Sequence, residues 1–383
     1  MLRAIVCPDK FRGSLRAAQA AAAIARGLER GGVTSIVQLP LADGGEGTLD
    51  ALLDGLGGSR RGTAVTGPSG NQVDAEWGML PGGIAVIEMA QASGHAVVNG
   101  ANDPLRATSR GTGELIAAAI RGGCKRVIVG VGGSATTDGG LAALDALKWS
   151  FGATPVTVAC DVTTRFLDAA RVYAPQKGAS PAQVALLSRR LAVLADTYRE
   201  RLGVDVTVID GGGAAGGLAG ALAAIGARIE PGFDVIANAV GFDDALALGC
   251  DLFITGEGML DASSLDGKVV GAALDGAADV ATHRVVICGA ADASTKAVLE
   301  AQGVTVLTLT DRAWDSDDAF TRAELLCEEA AYEVCTTLHA DRQPRARRSR
   351  RCDDFATQVV VTSTTDPAGT TLVHETVLTD LLG

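Results

Sequence analysis

Apolar and polar positions along the chain fall into two alternating textures. Short apolar runs of four to six residues stand at residues 2–7, 35–39, 84–89, 126–131, 156–160, 252–255, 284–288 and 304–309. Such runs predict strands, because a strand buried on both faces shows an unbroken apolar stretch. Between them lie Ala- and Leu-rich stretches with helical spacing, such as residues 14–30 and 48–56. Ser14 stands where an N-cap would open the first of these, since a serine hydroxyl can accept from the orphan N–H groups of a first turn. Strand, Gly- or Asp-bearing turn and helix recur along the chain, which predicts an α/β architecture with a largely parallel sheet. Ligands of such sheets bind at the carboxyl ends of the strands. The glycine-rich segments fall at those ends.

Composition narrows the picture. A chain of 383 residues exceeds one ordinary core and predicts two domains. With 47% hydrophobic residues and 4% aromatic ones, the core must be closely packed Ala, Val, Leu and Ile. A formal charge of −12 argues against a nucleic-acid partner, which needs basic patches to neutralise phosphate. The eight cysteines form no CxxC pair and sit in apolar stretches, as buried reduced thiols do. No apolar run reaches the roughly 20 residues of a spanning helix. The start of the chain lacks the pattern of a signal peptide, so no membrane partner and a cytoplasmic location are expected. The basic run RQPRARRSRR at 342–351 breaks the pattern and marks residues 341–383 as a tail, with a disordered arm one reading of it.

Five segments carry candidate chemistry. PDKFRGSL at 8–15 joins the first strand to its helix and sets Lys10 and Arg12 beside Asp9, a setting that can hold an anion. ADGGEGT at 42–48 places Asp43 and Glu46 around Gly44 and Gly45 at a helix start. One acid suffices to oppose a helix dipole; two acids can also hold a substrate hydroxyl or a hydrated Mg²⁺. VGVGGSATTDGG at 129–140 has the GxGxxA spacing of a dinucleotide loop, so an NAD-dependent dehydrogenase must be weighed. That fingerprint asks for an acid roughly 20 residues on, and LKWSFGA at 147–153 supplies none. The loop reads instead as a phosphate cradle of Gly132, Gly133, Ser134 and Thr136 with Asp138 beside it. DGGGAAGGLAG at 210–220 holds Gly216 and Gly217, which serve a phosphate loop or close helix packing equally well. TGEGMLDASSLDGK at 255–268 gathers Glu257, Asp261 and Lys268, acids for a metal and a lysine for phosphate, as phosphoryl transfer asks. GxxxxGK[ST] is absent, because Ala262 stands where that loop needs glycine. Nor is there a GxSxG elbow or an HExxH helix. The four histidines are scattered, which leaves acid–base work to carboxylates.

Together with VTGPSG (65–70), AVIEMAQASG (85–94), SRGTGELI (109–116), ACDV (159–162), APQKGA (174–179) and GAAGGL (213–218), these segments resemble, in order, the bacterial glycerate kinase family of the glycerate 2-kinase type, over residues 1–340. The resemblance implies a Rossmann-like domain made of residues 1–60 and 281–340, a larger inserted α/β domain of residues 61–280, and an active site in the cleft between them. It implies transfer of the ATP γ-phosphoryl group to D-glycerate, with 2-phosphoglycerate or 3-phosphoglycerate as product. Asp43 or Asp161 would then stand near the reacting hydroxyl, and Glu257 and Asp261 near Mg²⁺. Lys10, Arg12, Lys177 and Lys268 would face the substrate carboxylate or the transferring phosphate. Arg12 replaces the lysine usual in that family, Thr137 its asparagine, and Ser263 and Ser264 its Gln-Thr pair. A stretch many members carry between Leu147 and Val156 is missing. A non-catalytic sensor of a hydroxy acid or nucleotide is the rival outside enzymes, but it would have no need of metal acids.

Overall fold

The computed structural model describes residues 2–342, 358–365 and 371–378. The chain divides into two units, Met1–Thr336 and Thr337–Gly383. The first unit contains two sheets. In the first sheet, β1 (Arg3–Val6) lies between β2 (Ser35–Gln38) and β9 (Cys250–Leu260), and β10 (Ala281–Ala291) and β11 (Val304–Thr308) continue beyond β9, all in parallel. The second sheet runs in the order β3 (Ser59–Thr66), β4 (Gln72–Leu80), β5 (Ile84–Glu88), β6 (Arg126–Gly130), β7 (Val156–Ala159), β8 (Arg228–Glu230). Its last four strands are parallel, and β3 and β4 add an antiparallel edge.

Alternation along the parallel strands divides the apolar side chains between two cores. Ala85 and Ile87 of β5, Val127 and Val129 of β6, and Val156 and Val158 of β7 enter the core on one face of the second sheet. Val86, Ile128 and Ala159 point the other way, into a core shared with Ile5, Phe253 and Val286 of the first sheet. The helices Thr48–Leu56 and Gly232–Val240 supply Leu49, Leu52, Phe233 and Ile236 to this shared core. Both faces of these strands are therefore covered, which explains their unbroken apolar runs.

Three features of the fold bear on the sequence reading. The first is the return of the chain to the first sheet: β9 pairs with β1 and β10, so the chain rejoins it at Cys250. The second sheet accordingly spans 59–230. The second concerns Ser14, whose hydroxyl donates to the Phe11 carbonyl at 3.1 Å, leaving Arg16 as the residue before the helix Ala17–Arg30. The third is the β3–β4 hairpin, which the apolar runs did not reveal. Most of β3 is exposed, so it lacks a buried run, and the VTGPSG turn that closes it (Gly70 N–H to Gly67 O, 2.9 Å) is the visible signal.

In the second unit β12 (Gln358–Thr365) and β13 (Thr371–Leu378) pair antiparallel. The basic run expected to form an arm lies, but for its first residue, outside the described residues. Among the described residues no helix is long and apolar enough to cross a membrane.

Candidate active site

The carboxyl ends of strands from both sheets open on neighbouring cavities that share lining residues. One, of about 490 Å³, is lined by Asp43, Gly44 and Gly45 after β2, by Gly132, Gly133 and Ser134 after β6, and by Asp161 after β7. A smaller one, of about 180 Å³, is lined by Asp9, Lys10 and Arg12 after β1 and by Glu257 and Asp261 from β9 and its exit. Asp43 and Lys268 line both. A third, of about 360 Å³, shares Lys10 and Arg12 and adds Ser14 and Glu46. Segments as far apart in the chain as Asp9 and Lys268 thus meet in one place, at the carboxyl ends of parallel strands.

Glycine is needed where the two loops meet. Gly44 has φ +79°, and a Cβ there would lie 2.9 Å from Ala159 Cβ. A Cβ on Gly132 would lie 2.7 Å from Gly45 Cα. The loop after β6 is held from behind as well. Gly94 and Ser134 form a bridge, the His95 N–H donates to Gly133 O at 3.1 Å, and the Ala135 N–H donates to Ser93 O at 3.0 Å. Lys177, 3% exposed, donates to Ser134 Oγ at 2.8 Å and to the Thr136 carbonyl at 2.5 Å.

Carboxylates dominate the electrostatics. Burial pushes Asp9 up to about 6 against the pull of Lys10, with Asp43 adding to the rise; Lys10 Nζ stands 3.6 Å from the Asp9 carboxylate. Burial likewise raises Asp161 to about 6, opposed by the Gly232 N–H that donates to it at 2.6 Å. Glu257 reaches about 7 through burial, which puts it in the range where a proton acceptor works at neutral pH. Its Oε1 is buried without a hydrogen-bond partner. Burial also draws Lys177 down to about 8, although Asp138 favours its charge.

Several expected positions lie outside these cavities or are already engaged by neighbours. Gly216 and Gly217 line none of these cavities. A Cβ on Gly216 would stand 2.1 Å from the Thr136 carbonyl, and one on Gly217 2.8 Å from Gly139 Cα, so of their two open readings the geometry selects packing. The Thr136 side chain is fully buried. Asp138 turns away to accept from the Ser109 N–H at 2.8 Å and hydroxyl at 2.9 Å. Lys177 braces the loop from behind and does not face the cavity. Asp261 spends Oδ1 on the Ser263 N–H at 2.8 Å and hydroxyl at 2.6 Å, and Lys268 donates to that hydroxyl at 2.9 Å. Sequence reading missed His95, Tyr173, Gln176, Ala214 and Ala215, which line the larger cavity. Gln176 and the two alanines lie inside segments already singled out; His95 was set aside because no second histidine accompanies it.

An α/β protein with two largely parallel sheets, whose cavities combine a glycine loop, paired cations and a carboxylate cluster without a Walker A loop, fits a kinase of a non-P-loop class. The glycerate kinase family model matches residues 4–156 and 150–339, and the chain belongs to that family. It is 38% identical to the glycerate 2-kinase of Escherichia coli (strain K12), an alignment covering 70% of this chain and 80% of the relative. It is 34% identical to the glycerate kinase of Bacillus subtilis (strain 168), over 88% of this chain and 98% of the relative. The crystal structure of putative glycerate kinase 2 from Salmonella typhimurium LT2 superposes with a TM-score of 0.77 at 33% identity, covering 90% of this chain and all of that one.

Proposed function

We propose that the chain transfers the γ-phosphoryl group of ATP to the carbon-2 hydroxyl of D-glycerate, giving 2-phosphoglycerate and ADP. The observation that carries this reading is the meeting of two unequal cavities at Asp43 and Lys268. The larger has the size of a nucleotide site, with the loop of Gly132, Gly133 and Ser134 as the phosphate end. The smaller suits a three-carbon hydroxy acid, with Lys10 and Arg12 for its carboxylate. The γ-phosphoryl group and the accepting hydroxyl then meet at the junction. There Asp43 takes the hydroxyl proton, the alkoxide oxygen forms the new bond to phosphorus, and the bond to the β–γ bridging oxygen breaks, leaving ADP. Lys268 offsets the charge on the transferring group. Asp161, on the wall of the larger cavity, is the alternative base. The choice of carbon 2 is supported by the relative named a glycerate 2-kinase.

Mg²⁺ would supply positive charge against the phosphates during transfer, and Glu257 and Asp9 are the residues that would hold it. Among the described residues no three His, Cys, Asp or Glu side chains form a cluster that could hold a metal ion. That fits an ion that keeps its waters and uses one or two carboxylates plus phosphates. Glu257, with its unpartnered buried oxygen, fits such a role, with Asp9 beside it; Asp261 has one oxygen engaged by Ser263.

The test couples ADP release to D-glycerate addition, with L-glycerate and other hydroxy acids as controls and phosphorus NMR of the product. Turnover that depends on D-glycerate and yields 2-phosphoglycerate is expected. No glycerate-dependent ADP release with Mg²⁺ present would overturn the activity, and 3-phosphoglycerate would overturn the regiochemistry alone.

A further inference from the structure

A further pocket lies behind the glycine loop and is used by nothing in the reaction above. It has a volume of about 430 Å³, within the range of sites that bury a small organic ligand. Leu105, Leu141 and Leu194 form apolar walls, and Val193, 65% exposed, stands on its rim. The charged groups on its lining are Arg189, Arg190 and Asp138. Asp138 is committed to Ser109 and to the Gly140 N–H. Arg190 donates to the Leu105 carbonyl at 2.8 Å, which fixes its guanidinium at the edge of the pocket. Arg189 is exposed and makes no hydrogen bond or ion pair with the described residues. In a chain with a net charge of −12, this pocket carries two cations and one acid that is already satisfied. Thr137 on its lining is 2% exposed, and its Oγ1 has no hydrogen-bond partner; a buried hydroxyl left this way is costly.

The pocket and the larger cleft cavity are joined by one short segment. Gly132, Gly133 and Ser134 line the cleft; Thr137, Asp138 and Leu141 line the pocket. We propose that the pocket is an effector site for a small amphipathic anion, and that its occupancy is coupled to nucleotide binding through residues 132–141. An apolar ring or short chain would lie against Leu105, Leu141 and Leu194. A carboxylate or sulfonate would meet Arg189 and Arg190, and a polar atom on the ligand would satisfy Thr137. Coupling rests on the nucleotide reading of the cleft; the binding itself does not.

The experiment uses the full chain and 8-anilinonaphthalene-1-sulfonate as the probe, with neutral N-phenyl-1-naphthylamine as its uncharged counterpart. The expected result is one saturable sulfonate site per chain that excess ATP does not displace. Val193→Trp, a change at an exposed helix position that fills the rim, abolishes that site. Arg189→Glu weakens the sulfonate at least tenfold and the neutral dye less than twofold. Saturating sulfonate changes the Kd of ATP at least threefold, and ATP changes the Kd of the dye by the same factor, since coupling between two sites is reciprocal. Displacement of the dye by ATP, or unchanged binding in either variant, overturns the site. A coupling factor of one overturns its effector role. Failure of the nucleotide reading shows itself separately, as no ATP binding with or without the dye.

Discussion

Lys177→Met sets two effects of similar size against each other. The ammonium is 3% exposed and donates to Ser134 Oγ and to the Thr136 carbonyl. Hydrogen bonds from a charged group contribute about 1.5–3 kcal/mol each, and methionine supplies neither. Against this, burial holds the lysine at about 8 instead of 10.5, so keeping it charged at neutral pH costs about 3 kcal/mol at 1.36 kcal/mol per unit. The net loss of stability at pH 7 is therefore about 0–3 kcal/mol. Between about pH 8 and 10.5 the unfolded lysine binds more protons than the folded one, so wild-type stability rises with pH across that window. The variant lacks this rise, and the gap between the two proteins widens by up to about 3 kcal/mol. Thermal denaturation at pH 7, 8, 9 and 10 reads the gap. Kinetics read the loop: with Ser134 and Thr136 unbraced, KM for ATP rises about tenfold, equivalent to about 1.4 kcal/mol, while KM for glycerate stays within twofold. A gap that does not change with pH would falsify the assignment of a buried charged lysine, and an unchanged KM for ATP would show that the loop holds its shape without the brace.

Three further substitutions test the cleft. Asp43→Ala lowers kcat about 10²- to 10⁴-fold with little change in KM if Asp43 is the base; near-native kcat with weakened binding transfers the role to Asp161. Glu257→Gln removes a carboxyl raised to about 7 in the fold. Between about pH 4.5 and 7 the folded group binds more protons than the unfolded one, so wild-type stability falls with pH by up to about 3 kcal/mol. The variant escapes this fall, so it should melt higher than wild type at pH 8 without metal yet turn over more slowly; equal melting curves across pH 4.5–8 sink the argument. Gly44→Ala puts a side chain at φ +79°, 2.9 Å from Ala159 Cβ, for a loss of about 2 kcal/mol and a drop in kcat; calorimetry beside steady-state assays checks both, and full activity would show that the loop can shift without harm.

How legible the molecule was in sequence depended on what each segment buries. The parallel strands at 84–89, 126–131 and 156–160 were visible because both their faces are covered, whereas β3 is mostly exposed and β8 is three residues long. The place of β9 in the first sheet was not legible, because it is a matter of topology; its apolar run at 252–255 gives no sign of which sheet it joins. The segments singled out by motif meet around the cavities, but motif alone does not tell residues that face a cavity from those that support it. Lys177 and Gln176 are neighbours in APQKGA, and only the local 3₁₀ turn at Pro175–Lys177 decides that the glutamine lines the cavity and the lysine lies beneath the loop. The same holds for GAAGGL, whose alanines face the cavity and whose Gly216 and Gly217 fit against Thr136 and Gly139.

The raised carboxyls of the cleft have a common cause that bears on how the enzyme would close on its ligands. Asp9, Asp161 and Glu257 are each raised first by burial and then by a neighbouring acid: Asp43 for the first two, and Asp9 for Glu257. Five acids line the two cavities, Asp9, Asp43, Asp161, Glu257 and Asp261, against three cations, Lys10, Arg12 and Lys268, of which Lys268 is tied to Ser263. An acid cluster short of positive charge opposes the entry of a bare polyphosphate and favours one that arrives with its metal ion. Such binding should lower all three carboxyls together, because a nearby cation favours the ionised form that burial disfavours. Binding of ATP with Mg²⁺ should therefore release protons near pH 6–7, and ATP alone should not. Isothermal titration in two buffers of different ionisation enthalpy measures that release, and equal proton uptake or release for both ligands would mean that the acids do not face the metal.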